Sequence, residues 1–518
     1  MAALPSNTGG VMDEWLYRFR TPLLLTGVFL GYLLHASNGV WVDDFWDHSA
    51  AVSELIRRPW HPHHPQLGID LPHVFLTPYS LLVAMVAKLC HLNSVESLSL
   101  FGIINLSLLL YGVKVFISTN YQEHKRATYF YSLLLILYFW GKNPWNYSGF
   151  FHSNIINFSL PYPSSFATGL ALIGIALNNK LNTTRESKYL IGVLLITICV
   201  LLTHAVAFIF LCTGVVAGTV VHNQNKTQKT VILISLLLCA VCGALLWPYY
   251  PLIDLLKGEA NVYHLSNKGV YDNVILTLWP VFITIPIFIK KIFKVESRKI
   301  LVLIMLLMGI YILAWITNKY SYGRVISYIV MLIQIIFALR IAELESYIYQ
   351  KNRYIVKYIH ILIITILFMA FYATIKSSIT RLLTITNSIV HGRQILNQQT
   401  FGYLNILINK INPDDLILAN ARTSWILPTF GAKIITLTLP HAFVKDHDQR
   451  FSDVEEFFNP KTEEKDRLLV IEKYRPKYIL IDKCNDVEWI NIANILNKSG
   501  NFDSVFEDEK IKLYVVRE

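Results

Sequence analysis

Apolar residues dominate the first three quarters of the chain in long runs separated by short polar segments, and a run of about 20 apolar residues suffices for a helix to cross a bilayer. Such runs fall at residues 21–40, 97–117, 128–140, 166–177, 190–203, 205–221, 231–247, 273–289, 300–316, 325–339 and 358–373. The pattern predicts about eleven membrane spans. The stretch at 74–92 is read differently, because it is short and polar at both ends. Counting it as a span would invert every later basic loop, so an outer interfacial helix is expected there.

Basic residues set the expected orientation. Arg18 and Arg20 precede the first run, and Lys125-Arg126, Lys180 with Arg185 and Lys188, Lys226 with Lys229, Lys290-Lys291, and Lys351 with Arg353 occupy every second loop. Positive segments stay in the cytoplasm, which places the N-terminus inside and the segments 41–96, 143–165, 247–273 and 318–323 outside. These outer segments are rich in Trp, Tyr, Pro and Asn, as substrate-facing loops are. Beyond residue 376 polar residues increase, and short apolar patches at 416–418, 433–437, 478–481 and 513–516 read as strands. Helical patterns at 454–458 and 468–474 lie between them. The fold class expected is therefore a polytopic α-helical membrane protein with a C-terminal extracytoplasmic α/β domain. Residues 1–376 form the membrane domain, with its first outer loop at 41–96, and 377–518 form an accessory domain.

Composition agrees with that picture. Of 518 residues, 54% are hydrophobic and only 16% charged, and the mean hydropathy is +0.43. That is too apolar for a soluble globular chain. A formal charge of +11 would suit nucleic acid, but the basic residues lie between apolar runs and serve topology, so no nucleic-acid partner is expected. Cys199, Cys212, Cys239 and Cys242 sit in apolar runs and show no ligand spacing. The sequons at Asn146, Asn157, Asn182, Asn225 and Asn497 fall on both sides of the expected membrane and read as chance matches. No small-residue cleavage pattern follows the first run, which is expected to be retained as a helix.

Candidate chemistry gathers where the first run ends. Asp43 and Asp44 emerge at the outer membrane edge, where carboxylates cost free energy unless they serve a site, although an acidic interfacial cap would look the same. A carboxylate placed there can take the proton of an acceptor hydroxyl. Asp47, about one helical turn on, either tunes the pair or solvates the turn. The loop that follows carries Arg57, Arg58, His61, His63 and His64 among four prolines from Pro59 to Pro72, and reads as a structured cap. These histidines and arginines either bind a phosphate or sugar hydroxyls or pack the loop, and their proline-broken spacing is poor for a metal. Arg324 stands at an outer helix end, where a guanidinium can grip a phosphate or simply reach the interface, with Lys319 as a weaker companion. His152 and His204 complete the candidates for substrate contact, each with an ordinary packing role as the alternative.

An acidic pair directly after the first helix, an amphipathic helix, many spans and an outer α/β tail resemble the GT-C glycosyltransferases. The tail segments Leu418-Ala419-Asn420-Ala421, Ile426 to Gly431, and Lys473 to Leu480 also look like uncharacterised bacterial members. The resemblance covers nearly the whole chain at the level of architecture. It implies an enzyme in the plasma or bacterial inner membrane that transfers a sugar, with inversion, from a polyprenyl-phosphate donor to a cell-envelope glycan, lipid or protein. Asp44 or Asp43 would be its general base, and Arg324, with Lys319, Arg57 or Arg58, would bind the donor phosphate. Metal-using oligosaccharyltransferases add acids in the second outer loop, but residues 141–165 contain neither Asp nor Glu. No divalent metal or other cofactor is therefore expected.

Three rival readings follow from the same pattern. An O-antigen polymerase or ligase should carry a more arginine-rich outer loop. A lipid-linked-sugar flippase should show internal repeats and a site near the bilayer midplane. A membrane sensor with an outer α/β domain would leave Asp43 and Asp44 dispensable.

Overall fold

The computed structural model of the protein describes residues 8–39, 41, 43–121, 123–222, 226–289, 295–351, isolated positions between 355 and 365, 401–486 and 488–517. The chain divides into two compact units. One comprises Met1–Gly39, Gly102–Val241 and Ser266–Arg393, and the other Val40–Phe101, Cys242–Leu265 and Gln394–Glu518. The expected boundary at 376/377 lies outside the described residues, and in this division the first loop is grouped with the tail. The physical reason is main-chain pairing between them, described below.

Helices form wherever the sequence supplies a long apolar run. Ten of the eleven expected spans coincide with helices: Thr8–Asn38, Ser94–Asn120, Lys125–Tyr138, Pro163–Thr184, Ser187–Thr203, Ala205–Val221, Lys226–Leu246, Val274–Ile289, Val295–Ile316 and Ile326–Lys351. The eleventh, at 358–373, lies almost wholly outside the described residues. Among the described residues five segments are long and apolar enough to cross a membrane: Phe19–Ser37, Ser94–Asn120, Lys226–Leu246, Arg298–Ile316 and Tyr320–Lys351.

Within the helical unit, small residues let helices touch backbone to backbone, as helices in lipid commonly do. A Cβ on Gly112 would lie 2.7 Å from the Gly169 carbonyl oxygen, and one on Gly169 would lie 3.0 Å from the backbone of Leu108 and Leu109. A buried ion pair crosses the same unit. Arg20 donates through Nη1 to Glu345 Oε1 at 2.5 Å and through Nη2 to Oε2 at 3.1 Å, with the Phe130 ring 4.8 Å from the guanidinium. Arg20, counted above as an orientation signal, is therefore also a packing element.

The second unit is built on a five-stranded sheet. Its strands are β1 (Leu416–Leu418), β2 (Lys433–Ile434), β3 (Tyr478–Asp482), β4 (Phe502–Glu507) and β5 (Ile511–Val516), in the order β2-β1-β3-β5-β4. β1 runs parallel to both neighbours, whereas β5 is antiparallel to β3 and β4. The helices His447–Phe458, Glu464–Tyr474 and Trp489–Lys498 cover a core that includes Leu418, Phe457, Ile479, Ile481 and Tyr514. The β4 strand, with exposed positions between Phe502 and Glu507, and the Trp489–Lys498 helix are additions to the elements read from sequence. Leu67 then forms a parallel bridge to Ile434, and Ile434 N–H donates to the Gln66 carbonyl at 2.8 Å. The first-loop chain thereby extends the sheet beyond β2.

The stretch at 74–92 forms a helix over Pro78–Cys90, 13 residues or roughly 20 Å long, which is too short to span. Thr77 caps it by accepting Ser80 N–H at 3.1 Å. One face buries Tyr79, Val83, Ala84 and Ala87, and the other exposes Leu82, Met85 and Leu89.

Candidate active site

The acids meet at the start of the helix Phe45–Arg57, whose N-cap residue is Asp44. Asp43, just before it, is exposed and has φ +54°, a left-handed backbone that Asp tolerates better than most side chains. Asp44 is half-buried. Asp47, at the third helical position, is only 2% exposed. Side chains at the N-cap and third positions lie side by side at a helix start, and the charge of Asp44 is felt at Asp47.

Asp47 is tied from two directions. Its Oδ1 accepts the Gln66 amide at 2.6 Å and the Trp425 indole N–H at 2.8 Å, while His441 Nε2 stands 3.9 Å from Oδ2. Burial, then the charge of Asp44, push its carboxyl well above the usual range, against the opposing pull of the two donors. Tyr263 lies in the same neighbourhood: burial raises its phenol, Asp47 and Asp44 raise it further, and its hydroxyl accepts Ala442 N–H at 3.0 Å.

Beside the acids lies a nest of buried histidines. The rings of His64 and His73 are 4.8 Å apart, those of His73 and His441 are 5.0 Å apart, and Phe75 packs on His48 at 4.4 Å. Burial drives all four toward the neutral form, His48 down to about 3 and His441 to about 4. The backbone fixes two tautomers. His64 Nδ1 accepts from Gln66 N and Leu67 N at 3.2 and 2.9 Å, and His73 Nδ1 accepts from Phe75 N at 3.2 Å. A neutral imidazole with Nδ1 accepting must carry its proton on Nε2. Neither Nε2 then has a lone pair for a metal, and among the described residues no group of three His, Cys, Asp or Glu could hold a metal ion.

A third cluster fixes the loop that bears these groups. Glu54, fully buried, accepts Arg57 Nη2 at 2.6 Å, Arg58 Nη1 at 3.2 Å, the His63 backbone N–H at 3.1 Å and Lys433 Nζ at 3.0 Å. Lys433, on β2, also donates to the His64 carbonyl at 2.6 Å. Asp414 accepts Arg57 and Arg58 in turn. Burial would raise the Asp414 carboxyl, but Arg58, Arg57 and Lys433 together hold it down to about 2. Arg57 and Arg58 are thus engaged by carboxylates. His63 lies against Arg58 at 3.2 Å, and His61 is exposed.

The remaining candidates belong to the helical unit. Arg324 lies in the turn Tyr320–Val325, donates to the backbone and hydroxyl oxygens of Ser148, and faces the Tyr147 ring at 6.0 Å. Lys319 precedes that turn and donates its backbone N–H to the Ala314 carbonyl at 2.9 Å. His152 is buried, with Nε2 donating to the Trp145 carbonyl at 3.0 Å. His204 caps the helix Ala205–Val221, its Nδ1 accepting Ala207 N–H at 3.2 Å.

The sequence reading reached Asp43, Asp44, Asp47 and the histidine loop. It missed Trp425, His441, Lys433 and Tyr263, because each comes from a segment far along the chain and has no local motif. No family model and no curated protein matches this chain. In structure it is similar to an oligosaccharyltransferase from Archaeoglobus fulgidus, determined in the apo form, with 11% sequence identity and a TM-score of 0.50 over 91% of this chain and 71% of that one. At that identity the likeness is one of fold.

Proposed function

We propose that the protein is a membrane glycosyltransferase of the GT-C type, moving a sugar from a polyprenyl-phosphate donor to a hydroxyl acceptor of the cell envelope at the outer membrane face. The observation that carries this reading is the acidic pair at the head of the Phe45–Arg57 helix: a half-buried Asp44 over a fully buried, hydrogen-bonded Asp47. The fold likeness to an oligosaccharyltransferase supports the same class. Asp44 is the better-placed base, since Asp43 is exposed whereas Asp44 is half-buried at the helix N-cap, its charge acting on Asp47 and Tyr263. In the reaction Asp44 takes the acceptor O–H proton, the acceptor oxygen bonds to the anomeric carbon from the face opposite the phosphate, and the carbon–oxygen bond to phosphate breaks with its electrons leaving on the lipid phosphate. The configuration inverts.

Developing phosphate charge calls for cations. Arg324 and Lys319 are proposed to contact the donor phosphate, with Arg57 and Arg58 contributing field from within their carboxylate network. The proposed mechanism is written without a metal, and His64 and His73, whose Nδ1 atoms accept from the backbone, present Nε2–H donors. The test is transfer of radiolabelled sugar from polyprenyl-phosphate donors to envelope acceptors, comparing wild type, Asp44→Asn and Asp43→Asn at matched expression. Asp44→Asn is expected to lose transfer by about a hundredfold or more, and Asp43→Asn to keep most of it. A wild-type protein inactive with every such donor would refute the proposal.

A further inference from the structure

Asp47 and Trp425 are separated by 378 positions yet joined by a hydrogen bond. With Oδ1 already accepting two N–H donors, Oδ2 is the oxygen left to carry a proton. Two carboxyls at adjacent helix-start positions do not both ionise cheaply, and the environment of each decides which keeps the proton. Asp47 is buried deeply enough that desolvation outweighs the pull of its two N–H donors, whereas Asp44 is half-buried. The titratable groups facing Asp47 are Asp44 on its own helix, His441 from the segment after β2, and Tyr263 from the turn Glu259–Tyr263.

We propose that Trp425 and Gln66 are positioning residues that orient Asp47 as the neutral, proton-holding member of the pair, leaving Asp44 as the ionised member that accepts the acceptor's proton. The proposal rests on the transfer reaction above and deepens it. It also makes the C-terminal α/β region a contributor to the site, since Trp425 comes from that region. The proton balance is simple. Asp47 keeps its proton throughout, and Asp44 gains one from the acceptor hydroxyl as the lipid phosphate departs with the bonding electrons, then returns it to water.

Purified full-length protein supplies two readouts. The first is infrared absorption of protonated carboxyls at neutral pH, which does not depend on catalysis. Wild type is expected to show a protonated-carboxyl band that survives in Asp44→Asn and vanishes in Asp47→Asn. In Trp425→Phe the band moves to higher frequency, because the C=O loses its indole donor. The second readout is steady-state transfer. Trp425→Phe is expected to lower kcat about tenfold with donor KM within about twofold, since misplacement affects the chemical step more than binding. Asp47→Ala is expected to lower kcat about a hundredfold, and Asp47→Asn, which copies a neutral carboxyl, to recover about tenfold of that.

A band absent from wild type, or retained in Asp47→Asn, overturns the proposal, as does a Trp425→Phe protein with unchanged band and kcat. If no donor supports transfer but the band behaves as described, the positioning role stands and the proposed reaction falls.

Discussion

Glu54→Gln tests the joint that holds the first loop on the sheet. The native carboxylate, fully buried, receives four donors and offsets Arg57, Arg58 and the buried Lys433, with Asp414 as the second anion. Glutamine keeps the shape but offers one acceptor oxygen and no charge, so part of this donor set loses its partner and three cations face one anion. Leaving a buried charge uncompensated costs roughly 3–5 kcal/mol. Asp414 remains and the arginines are partly exposed, with side chains 23% and 34% accessible, so solvent screening brings the expectation toward about 3 kcal/mol. Lys433→Met removes a cation from a cluster that has one in excess and should cost less, about 1–2 kcal/mol for the lost hydrogen bonds. Hydrogen exchange at Ile434, whose amide bonds to the Gln66 carbonyl, reads the opening free energy of this joint directly. The reasoning is refuted if Glu54→Gln changes that free energy by less than about 1 kcal/mol, or if Lys433→Met costs more than Glu54→Gln.

Acid should loosen the same unit. Histidines whose folded pKa is depressed by burial bind fewer protons than the unfolded chain, so stability is lost as pH falls from their unfolded value near 6.5 toward the folded values, about 3 for His48 and about 4 for His441. Asp47, raised in the fold, works oppositely above its unfolded value of 3.8, but it is one group against four. Thermal unfolding in detergent should therefore show a lower midpoint at pH 5 than at pH 7, and an unchanged midpoint would contradict the buried-neutral assignment. In the helical unit, Gly169→Leu forces side-chain atoms into the backbone of Leu108 and Leu109. A loss of about 3 kcal/mol or misassembly, read by monodispersity and thermal melting, is expected. His204→Ala removes an N-cap acceptor and should cost about 1 kcal/mol, a modest drop in melting temperature without change in any transfer activity.

The helices were legible because a membrane span is a one-dimensional signal: twenty apolar residues announce themselves without reference to anything else. Asp44 and Asp47 were legible for a related reason, since their spacing and their position after the first run are local facts. Gln66 and His64 were seen only as parts of a crowded loop, because nothing in that loop says its backbone will pair with Ile434. Trp425 and His441 were invisible as site residues. A tryptophan in an α/β tail is ordinarily core, and its role here depends on a bond to a carboxylate near the other end of the chain. Arg57 and Arg58 show the converse: their charge suggested a phosphate, and only the partners Glu54 and Asp414 reveal a structural engagement.

The sheet's topology gives a reason for the tail to take part. In open sheets with parallel strands, functional groups gather in the segments that follow the carboxyl ends of those strands. β1 ends at Leu418 and is followed by Asn420, which caps the short helix Ala421–Ser424 by accepting Thr423 N–H at 2.9 Å, and then by Trp425. β2 ends at Ile434 and is followed by the segment carrying His441. β3 ends at Asp482, whose carboxylate accepts the Thr423 hydroxyl at 2.9 Å and so braces the helix that leads to Trp425. Trp425 and His441 thus reach Asp47 from the ends of two adjacent parallel strands, while the first loop pairs along the outer edge of β2. Asp47 and the sheet are one construction, joined through Trp425, through Gln66 and through the first-loop pairing to Ile434.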